Sequence, residues 1–284
     1  MKRSVKILGI FLFCSAVVVY AGGFEEETTT VEIQKADRVI VNCDLGAGEF
    51  RINPGDISEA AIVDVKFDPK VIRYDIDSDY RGSRCYIDME SDVRRHSNID
   101  SEGNVWDIQF STRYPLELDM DIGACEAEFE LGGIPLEEFN LDIGAASGEI
   151  LFSEPNPSRL EEIEIDAGAS SLTMEMIGNA NFKEFSFSGG AGSFDLDFRG
   201  KYNSGTAYID IDVGLGSGDI ILPKDVSVRI EYDGSNWFSS VDIDDRHLDD
   251  IDDGILESRD FEDADTRIVV RLNVGMGSLD VKFR

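Results

Sequence analysis

The feature that most constrains this chain is a glycine-centred pattern that returns at a near-constant interval. Gly123, Gly144, Gly168, Gly190 and Gly214 stand 21, 24, 22 and 24 residues apart, and two further copies centre on Gly46 and Gly275. Apolar residues alternate with polar ones on both sides of each glycine. Self-similarity at a fixed period over so many copies is the mark of a stacked repeat. Counting back from the pivot, the fifth residue is Val41, Leu118, Phe139, Ile163, Phe185, Ile209 or Val270, and the third is Cys43, Met120, Leu141, Ile165, Phe187, Ile211 or Leu272. Strand side chains alternate faces with period two, so both columns point to one side, the core.

The two residues after the pivot are small in most copies, as in Ala47 and Gly48 or Ala169 and Ser170. A sharp corner with closely stacked neighbours requires this. Alternation resumes four, six and eight residues past the pivot, as in Phe194, Leu196 and Phe198. Each copy therefore reads strand, tight corner, strand, and is too short to bury its apolar face alone. The expected fold is all-β, a β-solenoid of about 22-residue repeats with an irregular β cap at its N-terminal end. An antiparallel sandwich of hairpins is the alternative.

Taken in order, residues 1–21 read as a secretory signal peptide: a basic start at Lys2 and Arg3, an apolar run from Ile7 to Val19, and Val19-Tyr20-Ala21 as the cleavage site. The run is short for a membrane span, so no stable span is expected after cleavage. Residues 22–37 form a polar leader with Glu25-Glu26-Glu27 and Thr28-Thr29-Thr30. One solenoid domain, 38–284, follows. Residues 53–117 break the rhythm but stay strand-like and form the cap, 118–222 hold the regular repeats, and 231–267 are an acidic excursion. The last repeat, 268–284, is expected to close the stack. Within the excursion Val241, Ile243, Leu248, Ile251, Ile255 and Phe261 interrupt the acidic residues, which a disordered tail would lack.

The formal charge is −32, from 58 acidic against 26 basic residues. That surface repels nucleic acid and anionic lipid and attracts cations or basic partners. Of the four cysteines, Cys14 lies in the signal peptide; Cys43 and Cys125 occupy inward or corner positions that suit buried hydrophobes, and Cys85 brings the mature chain to an odd count.

Two residues before each pivot stands a polar column: Asp44, Asp121, Asp142, Asp166, Ser188, Asp212 and Asn273. Stacked strands lie about 4.8 Å apart, so these carboxylates repel unless compensated. In one reading each side chain caps its corner by accepting backbone N–H bonds. Ser188 and Asn273 keep such a bond and lose the charge, which favours this reading. In the other, Asp121, Asp142, Asp166 and Asp212 are calcium ligands. No other cofactor is indicated. The glycine-rich corners lack the following helix and lysine of phosphate-binding loops. The two histidines, His96 and His247, fall in separate irregular segments and in no catalytic pattern. Trp106, Trp237 and Phe238 suit core or cap packing better than a glycan surface.

The run from Val41 to Phe50, the corners of type Ile/Val-Gly-Ala/Leu-x-Ser, Ile209 to Pro223, and the close from Ser258 to Phe283 with Val274-Gly275-Met276-Gly277-Ser278 resemble the bacterial toast-rack family. That family includes the C-terminal domains of LiaF-type envelope-stress regulators and proteins described as adhesin heads. The resemblance implies a right-handed β-helix-like fold, no catalytic residues, and a role in protein interaction at the cell envelope. LiaF-type regulators carry several membrane helices ahead of this domain, whereas here a signal peptide stands there. The expected function is an exported, non-catalytic interaction or adhesin-like module of the periplasm or cell surface, with an envelope protein or glycan as partner. The alternative is a polysaccharide lyase or hydrolase using surface carboxylates.

Overall fold

The computed structural model describes residues 19–21, 23–93, 103–232 and 239–284. His96, Trp237, Phe238 and nearly all of the leader read as a signal peptide lie outside the described residues. Seventeen strands occur among the described residues. The N-terminal part contains β1 (Val19–Ala21), β2 (Phe24–Val31), β3 (Arg38–Gly55), β4 (Ala61–Phe67), β5 (Ile72–Arg81), β6 (Arg84–Val93) and β7 (Asn104–Ser111). The regular coils are β8 (Leu116–Glu130), β9 (Leu136–Leu151), β10 (Leu160–Glu175), β11 (Phe182–Asp197) and β12 (Gly205–Leu222). Then come β13 (Ser227–Tyr232), β14 (Ser239–Ile243), β15 (Leu248–Asp252), β16 (Ile255–Ser258) and β17 (Thr266–Phe283).

Each regular coil is one long strand that runs through its corner without ending. Neighbouring coils pair in parallel and in register, with Ile122 beside Ile143 before the pivot and Ala124 beside Ala145 after it. Parallel pairing continues through β3·β8, β8·β9, β9·β10, β10·β11, β11·β12 and β12·β17. The hairpin sandwich is therefore excluded and the solenoid stands. Inward alternation also includes the residue just before the pivot: Leu45, Ile122, Ile143, Ala167, Val213 and Val274 are all buried. At the corner alternation slips by one residue, since Gly123 and Ala124 are both exposed between buried Ile122 and Cys125. That slip lets both arms of the strand turn apolar side chains toward one core.

The pivot glycines are required by close approach rather than by an unusual φ. A Cβ on Gly168 would lie 2.3 Å from the Gly144 carbonyl oxygen, and one on Gly123 would lie 2.5 Å from that of Gly46. The same relation joins Gly144, Gly190, Gly214 and Gly275 each to the pivot of the coil below. Loops connect successive coils. Asparagines tie them together: Asn156 Nδ2 donates to the carbonyls of Leu136 (2.8 Å) and Ala180 (3.0 Å), and Asn179 Nδ2 donates to the Phe152 carbonyl (2.8 Å). Buried loop carbonyls that no strand can reach are thereby satisfied.

Spatial order departs from chain order at both ends. On one side of β3 lie β6, paired with its first arm, and β7, paired with its second. Antiparallel β5 covers β6, β4 covers β7, and β2 covers β4. The stretch expected as a polar leader contributes strand β2, because threonine favours strands and the glutamates are only partly buried or exposed. At the other end β17 does not close the stack. It lies between β12 and a further layer made of β13 and β14, with β16 and then β15 added antiparallel beyond β13. The acidic excursion packs back as these strands, pinned by buried Phe261, whose ring lies under the guanidinium groups of Arg229 (4.6 Å) and Arg267 (5.8 Å).

Candidate functional site: an acidic face of aligned columns

The outer surface of the arms that precede the corners carries three in-register polar columns. The column two residues before the pivots runs Asp44, Asp121, Asp142, Asp166, Ser188, Asp212, Asn273, each beside the next. Two residues further back come Asp119, Asn140, Glu164, Ser186 and Asp210. The next column is Glu117, Glu138, Glu162 and Glu184 on four consecutive coils. Strand pairing fixes their pitch at about 4.8 Å, and side chains neutralise the face at its margins, where Arg38 pairs with Glu117 (2.6 Å), Lys183 with Glu184 (3.1 Å) and Asn140 donates to Glu138 (3.0 Å).

The corner-capping expectation fails. Among the described residues, no hydrogen bond reaches the carboxylates of Asp44, Asp121, Asp142, Asp166 or Asp212; they are exposed. One corner amide is capped from a neighbouring layer, with Gly46 N–H donating to Ser91 Oγ at 3.2 Å. Elsewhere the close-set glycines and the parallel ladder hold the corner. Asp142, the middle of three adjacent aspartates, has its carboxyl raised above the ordinary range by partial desolvation and by the charges of Asp121 and Asp166. Of the four calcium candidates, Asp121, Asp142 and Asp166 are consecutive, while Ser188 separates Asp212 from them. Among the described residues no group of three or more His, Cys, Asp or Glu is arranged to hold a metal ion.

Of the grooves among the described residues, two border the acidic columns and corners. One, of about 470 Å³, lies where the β15–β16 turn, residues Asp253 and Gly254, meets β12, β13 and β17. Arg271 within it pairs with Glu231 (3.2 Å) and Asp210 (3.6 Å). The other, of about 380 Å³, lies past the corners over β8, β9 and β10 and is walled by Glu49, Glu126, Glu128 and Glu149. Gly148, in an inward position filled by leucine or phenylalanine in coils β10 and β11, opens its floor.

Trp106 is fully buried, its Nε1–H donating to Asn104 Oδ1 at 2.9 Å, and its ring packs edge-on to Tyr74 at 5.5 Å. It is a cap residue. His247 is exposed on the turn before β15. Cys43, Cys85 and Cys125 are buried free thiols. Burial, with Asp119 and Asp88 nearby, pushes Cys43 up to about 12, and burial pushes Cys85 and Cys125 to about 11, far from the thiolate character that reactivity needs. No helix among the described residues is long and apolar enough to cross a membrane.

The family pattern for the N-terminal domain of toast_rack, DUF2154, matches residues 20–175. No curated protein matches. Among solved structures, the chain is similar to a putative cell adhesion protein from Clostridium sporogenes ATCC 15579. That likeness has 16% identity and a TM-score of 0.49, covering 92% of this chain and 100% of that one. It is also similar to a putative adhesin from Parabacteroides distasonis ATCC 8503, with 9% identity and a TM-score of 0.32 over 92% of this chain and 97% of that one. A putative adhesin from Parabacteroides merdae ATCC 43184 has 8% identity and a TM-score of 0.31 over 92% and 96%. With the family match extending over more than half its length, this chain belongs to the toast-rack family.

Proposed function

We propose that this chain is an exported, non-catalytic interaction module of the bacterial cell envelope, adhesin-like in use, whose acidic face engages a basic envelope protein or a glycan. The single observation that carries the reading is the three-column lattice of carboxylates before the corners. The columns run straight along the stack, and Asp44, Asp121, Asp142, Asp166 and Asp212 take part in no hydrogen bond with the protein, which leaves them available to a partner. An extended cationic partner gains a row of contacts from such a surface, because each coil repeats the last. Export rests on the order of residues 1–21, with a basic start, an apolar run and small residues at the cleavage point.

The test measures binding of an extended lysine-rich peptide and of a panel of neutral and amino-sugar glycans to the purified protein across salt concentrations. Expected is salt-sensitive binding of one of these probes, lost in the combined variant Glu138→Gln, Asp142→Asn, Glu162→Gln. Binding that ignores those substitutions would assign recognition elsewhere, and no binding by any probe would end the reading. Fractionation followed by N-terminal sequencing tests export: the expected product begins at Gly22.

The groove walled by Glu49, Glu126, Glu128 and Glu149 is the one feature that favours the enzyme alternative, a polysaccharide lyase or hydrolase. Turnover of any glycan in the panel, abolished by Glu128→Gln or Glu149→Gln, would replace the binding reading.

A further inference from the structure

The two arms of the stack end differently at the C-terminal end. Beyond β13 the first is covered by β16 and β15, but the second stops at β14, which pairs with β17 alone among the described strands. Asp244 N–H donates to the Val281 carbonyl at 2.9 Å. Because alternate residues bond in a parallel pair, the N–H and C=O groups of Ser239, Val241 and Ile243 point the other way, to the open side. Other outer edges are blunted by charge. β5 carries Arg73, Asp75, Asp77 and Asp79, and β15 carries Asp249, Asp250 and Asp252. β14 has one charged residue, Asp242.

Its inner face is also unfinished. Val241 and Ile243 stand in register with buried Leu279 and Val281, yet remain only half-buried, because no described strand lies beyond them. The large hydrophobics exposed among the described residues, Tyr208, Leu215, Ile251 and Met276, all belong to β12, β15 and β17 at this same end. Leu215 and Met276 are register neighbours at the corner.

We propose that the β14 edge is a self-association surface, at which a second copy of this chain adds its own β14 antiparallel across a two-fold axis. Geometry fixes the register. Two copies related by such an axis keep their inner faces on one side, and the outward amides of the odd-numbered residues must meet; centring the axis on Val241 satisfies both. Val241 then faces Val241 and Ser239 faces Ile243, covering the half-buried apolar pair. On the outer face Ser240 stands opposite Asp242 twice, its hydroxyl donating to the carboxylate, with no like charges directly opposed. Head-to-tail addition onto β5 or β2 would meet three or more carboxylates and leave an edge free. The self-pairing closes after two copies.

Sedimentation velocity and light scattering of the purified protein over a concentration series test this. The expected result is a reversible dimer of the purified chain. Ser240 is exposed, so Ser240→Glu leaves the melting temperature of the dilute, dissociated chain unchanged while setting carboxylate against carboxylate at both contacts, and weakens the dimer roughly tenfold. Adding Asp242→Lys to Ser240→Glu brings the dimer back. Ser193→Glu, in the same outward column on β11 but away from the edge, leaves association as in the parent. A monomer at every concentration, a dimer indifferent to Ser240→Glu, no recovery with Asp242→Lys, or equal weakening by Ser193→Glu would each overturn the proposal.

Discussion

The two ends of the stack answer the same physical need in unequal ways. At the N-terminal end the β6 and β7 layer lies under β5, β4 and β2, and the aromatic group of Trp106, Tyr74 and Phe67 fills the space beneath. At the C-terminal end β16 and β15 cover one arm only, and the seal depends on Phe261, whose ring is approached by two guanidinium groups. A solenoid must end somewhere, and an end that is left open costs apolar exposure. The N-terminal end is finished with core; the C-terminal end is finished with charge and left partly bare.

The regular coils set the scale for any test of that contrast. Gly168→Val drives a side chain into the Gly144 carbonyl and is expected to cost on the order of 4 kcal/mol or to prevent folding, read from denaturant midpoints. At the sealed end Trp106→Ala should cost about 3–5 kcal/mol by emptying a fully buried site. At the open end Phe261→Ala should cost about 2 kcal/mol, since cation–π contacts rather than a packed core hold the ring. Equal losses for the last two would mean that the ends are sealed alike, and the contrast would fall.

The smallest effect belongs to the face between the ends. Because desolvation, and then the charges of Asp121 and Asp166, raise the Asp142 carboxyl, the folded chain binds its proton more readily than the unfolded chain. This group therefore lowers stability as pH rises through the window just above the ordinary aspartate value. Asp142→Asn should raise stability at neutral pH by less than about 1 kcal/mol, a gain screened by salt and absent below pH 3. Melting curves at pH 3 and pH 7, at low and high salt, check the sign. A loss at neutral pH would mean that the carboxylate has a favourable partner, and a calcium titration would then be the next measurement.

How much of this was legible follows from what a column of letters can carry. The stacked all-β architecture and its inward columns read correctly, because the repeat period and the strand period are both properties of one chain segment. The slip of alternation at the corner was visible at Ile122, Gly123, Ala124 and Cys125 but needed the position before each pivot to be counted as inward. Capping by the aspartates was misread, since Asp, Ser and Asn share that ability without using it here. The loop asparagines were missed although Asn156 and Asn179, and Asn181 and Asn203, recur at the repeat spacing; their partners are carbonyls on other coils, which spacing alone does not name. The glutamate column of Glu117, Glu138, Glu162 and Glu184 was likewise readable from the pivots. The place of β17 was not, because the order in which strands pair is a matter of space.

That place has a consequence for how the chain is made. β13 to β16 leave the ribosome before β17 does, yet the surface on which β13 and β14 pair is β17 itself. Coils up to β12 can be laid down as they emerge, whereas the following segment must wait, unpaired, until the last strand slips in behind it. Biogenesis thus ends with an insertion rather than an addition, and a chain truncated within its final 18 residues forfeits two layers of structure instead of one.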